Sequence, residues 1–363
     1  MALTAEAQSS GESSFPPSPK LLRKVFHWEY WPASIANLPV ALIWFWYALR
    51  ARDPFFFTAV NPAVSTGGLF GESKLDILRQ MPEALIPVTV LAPRGAPWVD
   101  VREKLVSAGL SYPLIAKPNV GERGFLVAKL DEEEALREHL RQYPVDFLLQ
   151  EFIDYPEEAS VFHYRLPDGA GSAVTSLCLK KHLTVIGDGR SNIRELMQRS
   201  LRAHLQLARF EREFPRLLEE VPAAGKEVLL EPIGNHCRGT MFLDGSRHID
   251  PPLTAVFDEI SRHFQGIYYG RFDIKYTTLE ELRKGRGLKI LEFNGVAGEP
   301  AHIYDPAIPV WKKYRSYYRH WGHIYRIYRQ QRAKGVKPMT FSEMRAAYSD
   351  YRSYMQDLRK RKV

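Results

Sequence analysis

Charged and amide side chains alternate with apolar ones along two short segments of the chain. Arg271 and Asp273 lie in Gly-Arg-Phe-Asp-Ile-Lys, and Glu292 and Asn294 lie in Ile-Leu-Glu-Phe-Asn-Gly. In a β-strand, residues i and i+2 share a face, so each pair would point to the same side of a sheet. Two carboxylates and an amide oxygen suit Mg²⁺, or Mn²⁺, held between protein and phosphate groups. A charge ladder on an exposed sheet is the alternative, but the Asn-Gly ending is poor strand sequence and favours a site.

A cation that could bind phosphate ends another apolar segment. Lys117 stands in Leu-Ile-Ala-Lys-Pro, where a strand would project its ammonium group beyond the sheet. Gly121 and Gly124 follow, and because they lack side chains they let backbone amides approach phosphate oxygens closely. The Gly-Lys-Ser/Thr of a P-loop is absent from this segment. Alone, the segment is more typical of an ordinary hairpin, so its interpretation as a phosphate site depends on the other groups.

A third segment could recognise a nucleoside. The apolar run Phe-Leu-Leu becomes polar at Gln150 and Glu151, where a strand end would expose backbone hydrogen-bonding groups to an adenine edge. Glu158 follows shortly after and could hold ribose hydroxyls. An acidic surface turn is the alternative for this segment taken alone. Groups for phosphate, nucleoside and metal on one chain together indicate an enzyme that transfers a phosphoryl group from ATP.

Strand and helix patterns must place these groups. Apolar alternation or runs predict strands at residues 114–117, 125–129, 147–152, 160–166, 173–179, 240–243, 268–276 and 288–293, with a buried strand at 55–60. Helical spacing predicts helices at residues 73–80, 131–141, 191–209 and 251–263. Ser73 and Asp131 stand where a helix N-cap is expected. Strand pairs interleaved with helices indicate an α+β fold rather than a regular parallel sheet.

Composition limits the class of protein. The 363 residues are 45% apolar and 25% charged, ordinary values for a globular protein with room for two or three subdomains. Two cysteines, Cys178 and Cys237, do not make a disulfide framework, which favours a reducing cytosol. The Ser- and Pro-rich start lacks the apolar run of a secretory signal. The net charge of +8 is concentrated at the end, because residues 311–363 hold 15 Lys/Arg against 3 Asp/Glu.

Two aromatic segments have two interpretations each. Residues 38–49 are apolar and uncharged, a length typical of a buried helix and too short to span a bilayer. The alternative is an interfacial helix with Trp and Tyr at head-group level. Aromatic residues also recur at steps of three and four from Trp311 to Tyr328, with arginines between them. This second helix would pack its aromatic face on the domain, or contact an anionic membrane surface or an acidic substrate. Nucleic acid is not an expected partner, because no recognised binding module accompanies the charge.

Taken in order, these motifs resemble the ATP-grasp superfamily, and most of all its D-alanine–D-alanine ligase, glutathione synthetase and cyanophycin synthetase branches. The match covers about residues 55–305, and residues 183–196 resemble a Gly-Asp-Gly-x-Ser run of the last two branches. The resemblance implies an ATP-grasp fold, in which two α+β subdomains grip ATP. It divides the chain into a disordered leader (residues 1–20), an aromatic helix and strand segment (21–72), the ATP-grasp domain (73–305, with its nucleotide lid at about 111–155) and a basic helical extension (306–363).

The resemblance also assigns roles. It implies ATP contacts at Lys74, Lys117, Gly121, Gly124, Gln150, Glu151, Phe152, Ile153 and Glu158, metal ligands at Asp273, Glu292 and Asn294, and catalytic roles for Arg271 and Lys180. Lys74 and Lys117 match the two nucleotide lysines, residues 150–153 match the adenine hinge, and Glu158 matches the ribose-binding glutamate. Arg271 matches the arginine that steadies an acyl phosphate and a tetrahedral intermediate.

The activity that the resemblance implies is ADP-forming ligation of a small-molecule carboxylate to an amine through an acyl phosphate, with ATP and Mg²⁺. A kinase of the same fold that phosphorylates a hydroxyl group and a non-catalytic nucleotide-binding module are the alternatives. The substrate-binding domain that precedes this fold in the ligases is not recognisable in residues 21–72. Both substrates therefore stay open, as does the oligomeric state, with a dimer among the alternatives. We expect a cytoplasmic protein, or one that is peripheral at the inner face of the membrane.

Overall fold

The computed structural model describes Trp28, residues 31–122 and residues 124–360, without the side chains of Ala33, Arg359 and Lys360. The leader expected at residues 1–20 lies outside the described residues. The strands are β1 Thr89–Ala92, β2 Leu114–Pro118, β3 Ala128–Leu130, β4 Phe147–Glu151, β5 Glu157–Arg165, β6 Ser172–Lys181, β7 Leu183–Ile186, β8 Glu227–Glu231, β9 Met241–Asp244, β10 Tyr269–Tyr276 and β11 Leu288–Asn294. The helices are α1 Ala33–Ala36, α2 Leu38–Ala51, α3 Lys74–Leu78, α4 Trp98–Ser107, α5 Glu133–Gln142, α6 Ile193–Arg199, α7 Leu201–His204, α8 Leu207–Glu213, α9 Pro251–Arg262, α10 Leu279–Arg283, α11 Val310–Ala333 and α12 Phe341–Lys360.

Two antiparallel sheets form the frame of the molecule. A small sheet has the order β1-β4-β2-β3, and a large sheet has the order β11-β10-β5-β6-β9. A separate hairpin, β7-β8, packs with α6, α7 and α8. The α+β class and the two facing α+β subdomains expected from the sequence are confirmed. The hairpin expected at residues 114–129 is present as β2 and β3, although its second strand begins three residues later than predicted.

Strand alternation divides the large sheet into an apolar face and a polar face. Phe272 and Ile274 are buried in a core that includes Leu253 and Phe257 of α9. Arg271 and Asp273 must therefore point to the other side of the sheet, as the period of two predicts. That polar face lies opposite the small sheet, and the candidate site is built on it.

The prediction of a strand at residues 55–60 is wrong. The structure forms a 3₁₀ turn at Phe56–Val60, and all five of its residues are buried. The Asp53 carboxylate accepts a hydrogen bond from the Phe55 amide at 2.7 Å, and Thr58 bonds back to the Phe55 carbonyl. These local bonds start a helical turn and leave no extended backbone for a sheet.

Two helix predictions also need correction. The helix expected at residues 131–141 begins after Glu132, and Asp131 does not cap it because its carboxylate is paired with Lys129 at 2.8 Å. The helix expected at residues 191–209 is three helices, α6 to α8. Ser200 has an extended backbone that ends α6, while a capping box between Asn192 and Glu195 begins it. By contrast, Ser73 caps α3 as expected.

The two aromatic segments pack on each other as α2 and α11. Phe56 lies between them, with its ring 5.6 Å from that of Tyr328 and 5.8 Å from that of Trp321. The expectation that residues 38–49 form a buried helix is wrong for half of α2, because Tyr47 and Ala48 are buried while Leu42 and Phe45 are exposed. Among the described residues, no helix is both long and apolar enough to cross a membrane.

The second half of the last helix packs on the small sheet. Met355 and Leu358 of α12 are buried in the core that also holds Leu114 of β2 and Leu105 of α4. The basic extension predicted from residue 306 onward therefore contacts both sheets, α11 on the large one and α12 on the small one.

Candidate active site

The centre of the site is the carboxylate of Asp273 on β10. Ser160 of β5 and Lys180 of β6 contact its Oδ1, the lysine at 3.2 Å. Arg271 and Asn294 donate to its Oδ2 at 3.1 and 2.9 Å. These groups come together because β5, β10 and β11 are neighbours, and residues directly opposite each other on paired strands share a face. Arg271 and Asp273 share a face of the sheet, as the period of two predicts, and they also form an ion pair at 3.1 Å.

Opposite charges hold these buried groups in their ionised forms. Burial alone would raise the pKa of Asp273, but the Arg271 and Lys180 cations outweigh it and hold that pKa well below its usual range. Burial would lower the pKa of Lys180, and the Asp273 and Glu158 carboxylates outweigh it and raise that pKa. The site is thus a compensated ionic network at neutral pH.

One N–H donor of Arg271 makes no hydrogen bond with the described residues. Its Nη2 bonds Asp273, and its Nη1 donates to the Glu299 carbonyl at 3.3 Å. Its Nε is buried and has no hydrogen-bond partner among the described residues. A buried donor without a partner is costly, and an oxyanion in the site would satisfy it.

Two lysines face this network from the side of the small sheet. Lys117, on β2, donates to the Leu291 carbonyl of β11 at 2.7 Å and to the Gln150 side chain at 2.9 Å. Lys74, the first residue of α3, lies 3.5 Å from a carboxylate oxygen of Glu292. The two lysines predicted to bind nucleotide phosphates therefore lie at the junction of the two sheets.

Among the described residues, no carboxylate lies within ion-pair distance of Lys117. Lys117 is buried, and burial lowers its pKa to about 8, assisted by the nearby Lys74 charge and opposed by Glu292 and Asp273. A lysine with so low a pKa changes charge close to physiological pH. An anionic phosphate beside it would favour the charged form.

The glycine loop after β2 is held against the large-sheet side. Arg238 donates from Nη2 to the carbonyls of Gly124 and Val127, both at 3.0 Å. Gly124 has a φ of 68°, and a Cβ there would meet the Asn235 amide nitrogen at 2.7 Å. Gly121 accepts a bond from Lys74 through its carbonyl. The loop therefore reaches both a nucleotide lysine and the Asn235–Arg238 turn.

The segment predicted as an adenine hinge ends β4. Gln150 is buried between Lys117 and Thr89. Its side-chain oxygen accepts a hydrogen bond from Lys117, and its side-chain nitrogen donates one to Thr89, both at 2.9 Å. The Glu151 backbone and carboxylate both bond to Val88. Phe152 and the buried Ile153 follow the last paired residue of β4, so the sheet ladder does not use their backbone groups. These two residues are the ones in the hinge that could pair with a base.

Glu158 lies inside the network rather than at a free edge. Its carboxylate is 2.9 Å from the Lys180 ammonium and 3.5 Å from the His182 ring, and its side chain is 6% exposed. Gly234 passes directly beside it, since a Cβ there would fall within 2.5 Å of the carboxylate. Through Lys180, Glu158 is connected to Asp273.

Asp273, Glu292 and Asn294 are the residues that could hold Mg²⁺ shared with phosphate. Asp273 and Glu292 are directly opposite each other on β10 and β11, with Asn294 two residues further along the same face. Among the described residues, no group of three or more His, Cys, Asp and Glu could hold a metal ion. Two carboxylates and the Asn294 oxygen would leave further positions for phosphate oxygens and water, the arrangement that Mg²⁺ prefers.

Sequence reasoning missed several members of the site. Ser160 bonds Asp273, and its position two residues after Glu158 on one strand was the signal that could have found it. Glu72 is another; burial raises its pKa, and the charges of Lys74 and Glu292 act on it. Arg238 bonds the glycine loop, and Glu299 accepts a bond from Arg271. Both contacts join residues that are distant in sequence, so no spacing rule predicts them.

A cavity of about 930 Å³ lies between the large sheet and α11, lined by Thr175 of β6 and by Arg315 and Arg319 of α11. Arg271 is opposite Phe162, and Phe162 is opposite Ser176, so Ser176 is two strands, or about 10 Å, from the arginine. Ser176 bonds the His302 ring at 2.6 Å, and His302 lines the cavity. The cavity is also lined by Asp244, Asp305 and Lys312.

The chain is similar to solved structures of ligases. The fold is similar to the VanG D-Ala:D-Ser ligase from Enterococcus faecalis (13% identity, TM-score 0.40, covering 74% of this chain and 62% of that one). It is also similar to the D-alanine–D-alanine ligase from Bacillus anthracis (14%, TM-score 0.39, 75% and 71%). A third match is a bifunctional glutathione synthetase from Pasteurella multocida (15%, TM-score 0.34, 64% and 33%).

The ligases named in these comparisons are of the kinds that the motifs resemble. The chain spans 62% of the VanG ligase and a third of the glutathione synthetase. At such scores the likeness assigns no role to any residue, and the roles rest on the geometry above. No family model matches the chain, and no curated protein sequence matches it significantly.

Proposed function

We propose that the protein is an ATP-dependent, ADP-forming ligase that joins a carboxylate to an amine through an acyl phosphate. The observation that carries the proposal is the meeting of Lys74 and Lys117 with Glu292 and Asp273 between the two sheets. Cations for phosphate oxygens and oxygen ligands for a metal ion lie there together, beside an arginine with a free donor. That set matches what phosphoryl transfer to a carboxylate requires.

The reaction assigns a role to each group. A substrate carboxylate oxygen attacks the γ-phosphorus of ATP, the bond to the β-phosphate oxygen breaks, and ADP leaves. Lys74 and Lys117 would hold the phosphate oxygens during this transfer. Asp273, Glu292 and Asn294 would hold Mg²⁺, which supplies neutralising charge to the phosphates.

Ligation completes the reaction. The amine nitrogen attacks the acyl carbon and loses a proton, and the carbon–oxygen bond to phosphate breaks to release inorganic phosphate. Arg271 would stabilise the oxyanion of the tetrahedral intermediate, with Nε as its unpaired donor. Lys180 keeps Asp273 ionised and in place at 3.2 Å.

The cavity beside His302 is our candidate for the substrate pocket. Its lining residue His302 bonds Ser176, which is about 10 Å from Arg271 across the sheet. Lys312, Arg315 and Arg319 line the cavity together with Asp244 and Asp305, and this excess of basic residues favours a substrate that carries anionic groups besides the reacting carboxylate. Arg315→Ala should raise the KM of the acid substrate and leave the KM of ATP unchanged.

An isotope experiment tests the proposal. A screen for ATP-dependent phosphate release over amino acids, other small acids and short peptides would first find an active pair. With the acid labelled by ¹⁸O in its carboxylate, an acyl phosphate route transfers one label to the released inorganic phosphate. ADP with a stable phosphorylated product would instead identify a kinase. Binding of ATP with no turnover across the screen would favour a nucleotide-binding module.

A further inference from the structure

An apolar stripe on α2 faces solvent. Leu38, Leu42, Phe45, Trp46 and Leu49 are each between 51% and 64% exposed. Their spacing of three and four residues places them on one face of the helix, about 21 Å long. A stripe of five large apolar side chains without a charge among them is rare on a protein surface that meets only water. We call these five residues the α2 stripe.

Arginines border one edge of the α2 stripe. The Arg50 guanidinium lies 5.9 Å from the ring of Trp46 in the stripe and 5.1 Å from the ring of Tyr325 on α11. Beyond this contact is a cavity of about 390 Å³ between the two helices. Four arginines line it, namely Arg50, Arg319, Arg326 and Arg329. None of the described lining residues is acidic, so the cavity has the chemistry of an anion site.

Exposed aromatic side chains extend the surface along α11. Trp311 is 60% exposed and Tyr318 is 49% exposed, although other aromatic residues of the same helix are buried. Trp and Tyr favour the boundary between hydrocarbon and water because they have an apolar body and a polar tip. The aromatic residues of α11 therefore serve two purposes, some packing on α2 and others facing outward.

We propose that the α2 stripe and the adjoining arginine cavity dock on an anionic phospholipid bilayer, with α2 lying in the plane of the interface and the cavity receiving a lipid phosphate group. Charge complementarity selects this occupant. A second copy of the chain on the same surface would bring its arginines toward these ones without acidic partners. A phospholipid offers acyl chains to the stripe and phosphate to the arginines together.

Vesicle binding tests the proposal on the full-length chain. We expect the protein to co-sediment with vesicles of phosphatidylcholine and phosphatidylglycerol, more weakly in high salt, and more weakly still with phosphatidylcholine alone. Brominated acyl chains should quench part of the tryptophan fluorescence, and Trp46→Phe with Trp311→Phe should remove most of that quenching. Equal binding to both vesicle types, or none to either, would overturn the proposal.

Matched variants separate the two parts of the surface. Phe45→Ser with Leu49→Ser should lower partitioning at least tenfold, because it removes apolar area that would enter the bilayer. Arg326→Gln should lower it about fivefold, the contribution of one basic residue near an anionic leaflet. The controls are Val99→Ser with Val106→Ser on α4, which are 69% and 71% exposed, and Arg352→Gln on α12. Equal losses in the controls would overturn the proposal.

The oligomeric state provides an independent outcome. Sedimentation of the full-length chain should show the same mass before and after Phe45→Ser with Leu49→Ser. A dimer that dissociates in this variant, combined with absence of vesicle binding, would identify a self-interface and overturn the proposal. ATP turnover should be unaffected by the stripe variants, so a failed ligase assignment and a failed docking assignment are distinguishable.

Discussion

The Lys117 ammonium donates to the Leu291 carbonyl across 2.7 Å, and this bond joins the small sheet to the large one. Leu291 immediately precedes Glu292, which faces Lys74. A single short stretch of β11 thus contacts both nucleotide lysines. The two sheets meet where the phosphates of ATP would lie under the proposed function.

The first prediction concerns Lys117 and pH. Because burial lowers its pKa to about 8, its positive charge is present below that pH and is lost as the pH rises through it. We expect kcat/KM for ATP to fall above about pH 8. Lys117→Arg should remove this fall, because arginine stays charged. The measurement is the pH profile of ATP turnover; the same fall in the arginine variant would assign it to another group.

The same pKa affects stability. The unfolded chain keeps this lysine protonated up to its ordinary pKa of 10.5, whereas the folded chain releases the proton at about 8. The unfolded state therefore binds more protons between these values, and this group makes stability increase with pH in that window. Denaturant unfolding of the wild type and Lys117→Met across the window would measure the difference in slope.

The second prediction contrasts two carboxylates. Asp273→Asn leaves the Arg271 charge without its carboxylate partner and leaves Lys180 with Glu158 alone, so it should destabilise the fold by about 3–5 kcal/mol. Glu292→Gln should change stability by less than about 1 kcal/mol, because its side chain is 32% exposed. Both variants should lose ATP turnover. Turnover at the wild-type level in Glu292→Gln would remove this residue from the metal site.

The third prediction uses two glycines with the same backbone. Gly124 and Gly109 both have a φ of 68°. A Cβ on Gly124 would meet Asn235 at 2.7 Å, but one on Gly109 would have nothing within 4 Å. Alanine at either position should cost about 1–2 kcal/mol of stability from the left-handed backbone. Only Gly124→Ala should also raise the KM for ATP, since it separates the glycine loop from the Asn235–Arg238 turn. An equal rise in Gly109→Ala would contradict this.

The fourth prediction separates the two half-reactions. Arg271→Lys retains a charge beside Asp273 but loses the Nε donor. We expect kcat for product formation to fall about 10²–10³-fold, the usual effect of losing an oxyanion donor. ATP binding should change little, because the lysines supply it. The measurements are the equilibrium affinity for ATP and the rate of amide formation, both on Arg271→Lys. A loss of ATP affinity as large as the loss of rate would contradict the prediction.

Local spacing predicted the faces of the site strands, because a period of two fixes which side chains share a side of the sheet. Arg271 with Asp273 and Glu292 with Asn294 followed from that rule alone. The approach of Lys74 to Glu292 did not, since these residues are more than 200 positions apart and only the fold brings them together. For such pairs the resemblance to known ligases predicted only that both residues serve one nucleotide site.

Apolar runs were the weakest guide. The run at residues 55–60 is compatible with a strand or a helical turn, and the Asp53 carboxylate decides between them. For α2, the composition did not reveal which face would be covered. That depends on where α11 packs, and α11 covers Tyr47 while leaving Phe45 exposed.

The position of α12 has a consequence for any opening of the cleft. Its Tyr354 donates to the Val120 carbonyl at 3.1 Å, and Tyr351 stacks on Phe70 at 5.3 Å. Near its start, α12 buries Met344 in the same core as Ile324 and Tyr328 of α11, whereas Met355 and Leu358 near its end are buried in the core of the small sheet. The helix therefore spans both cores, and any separation of the two sheets would have to bend α12 or pull one of its ends out of its core.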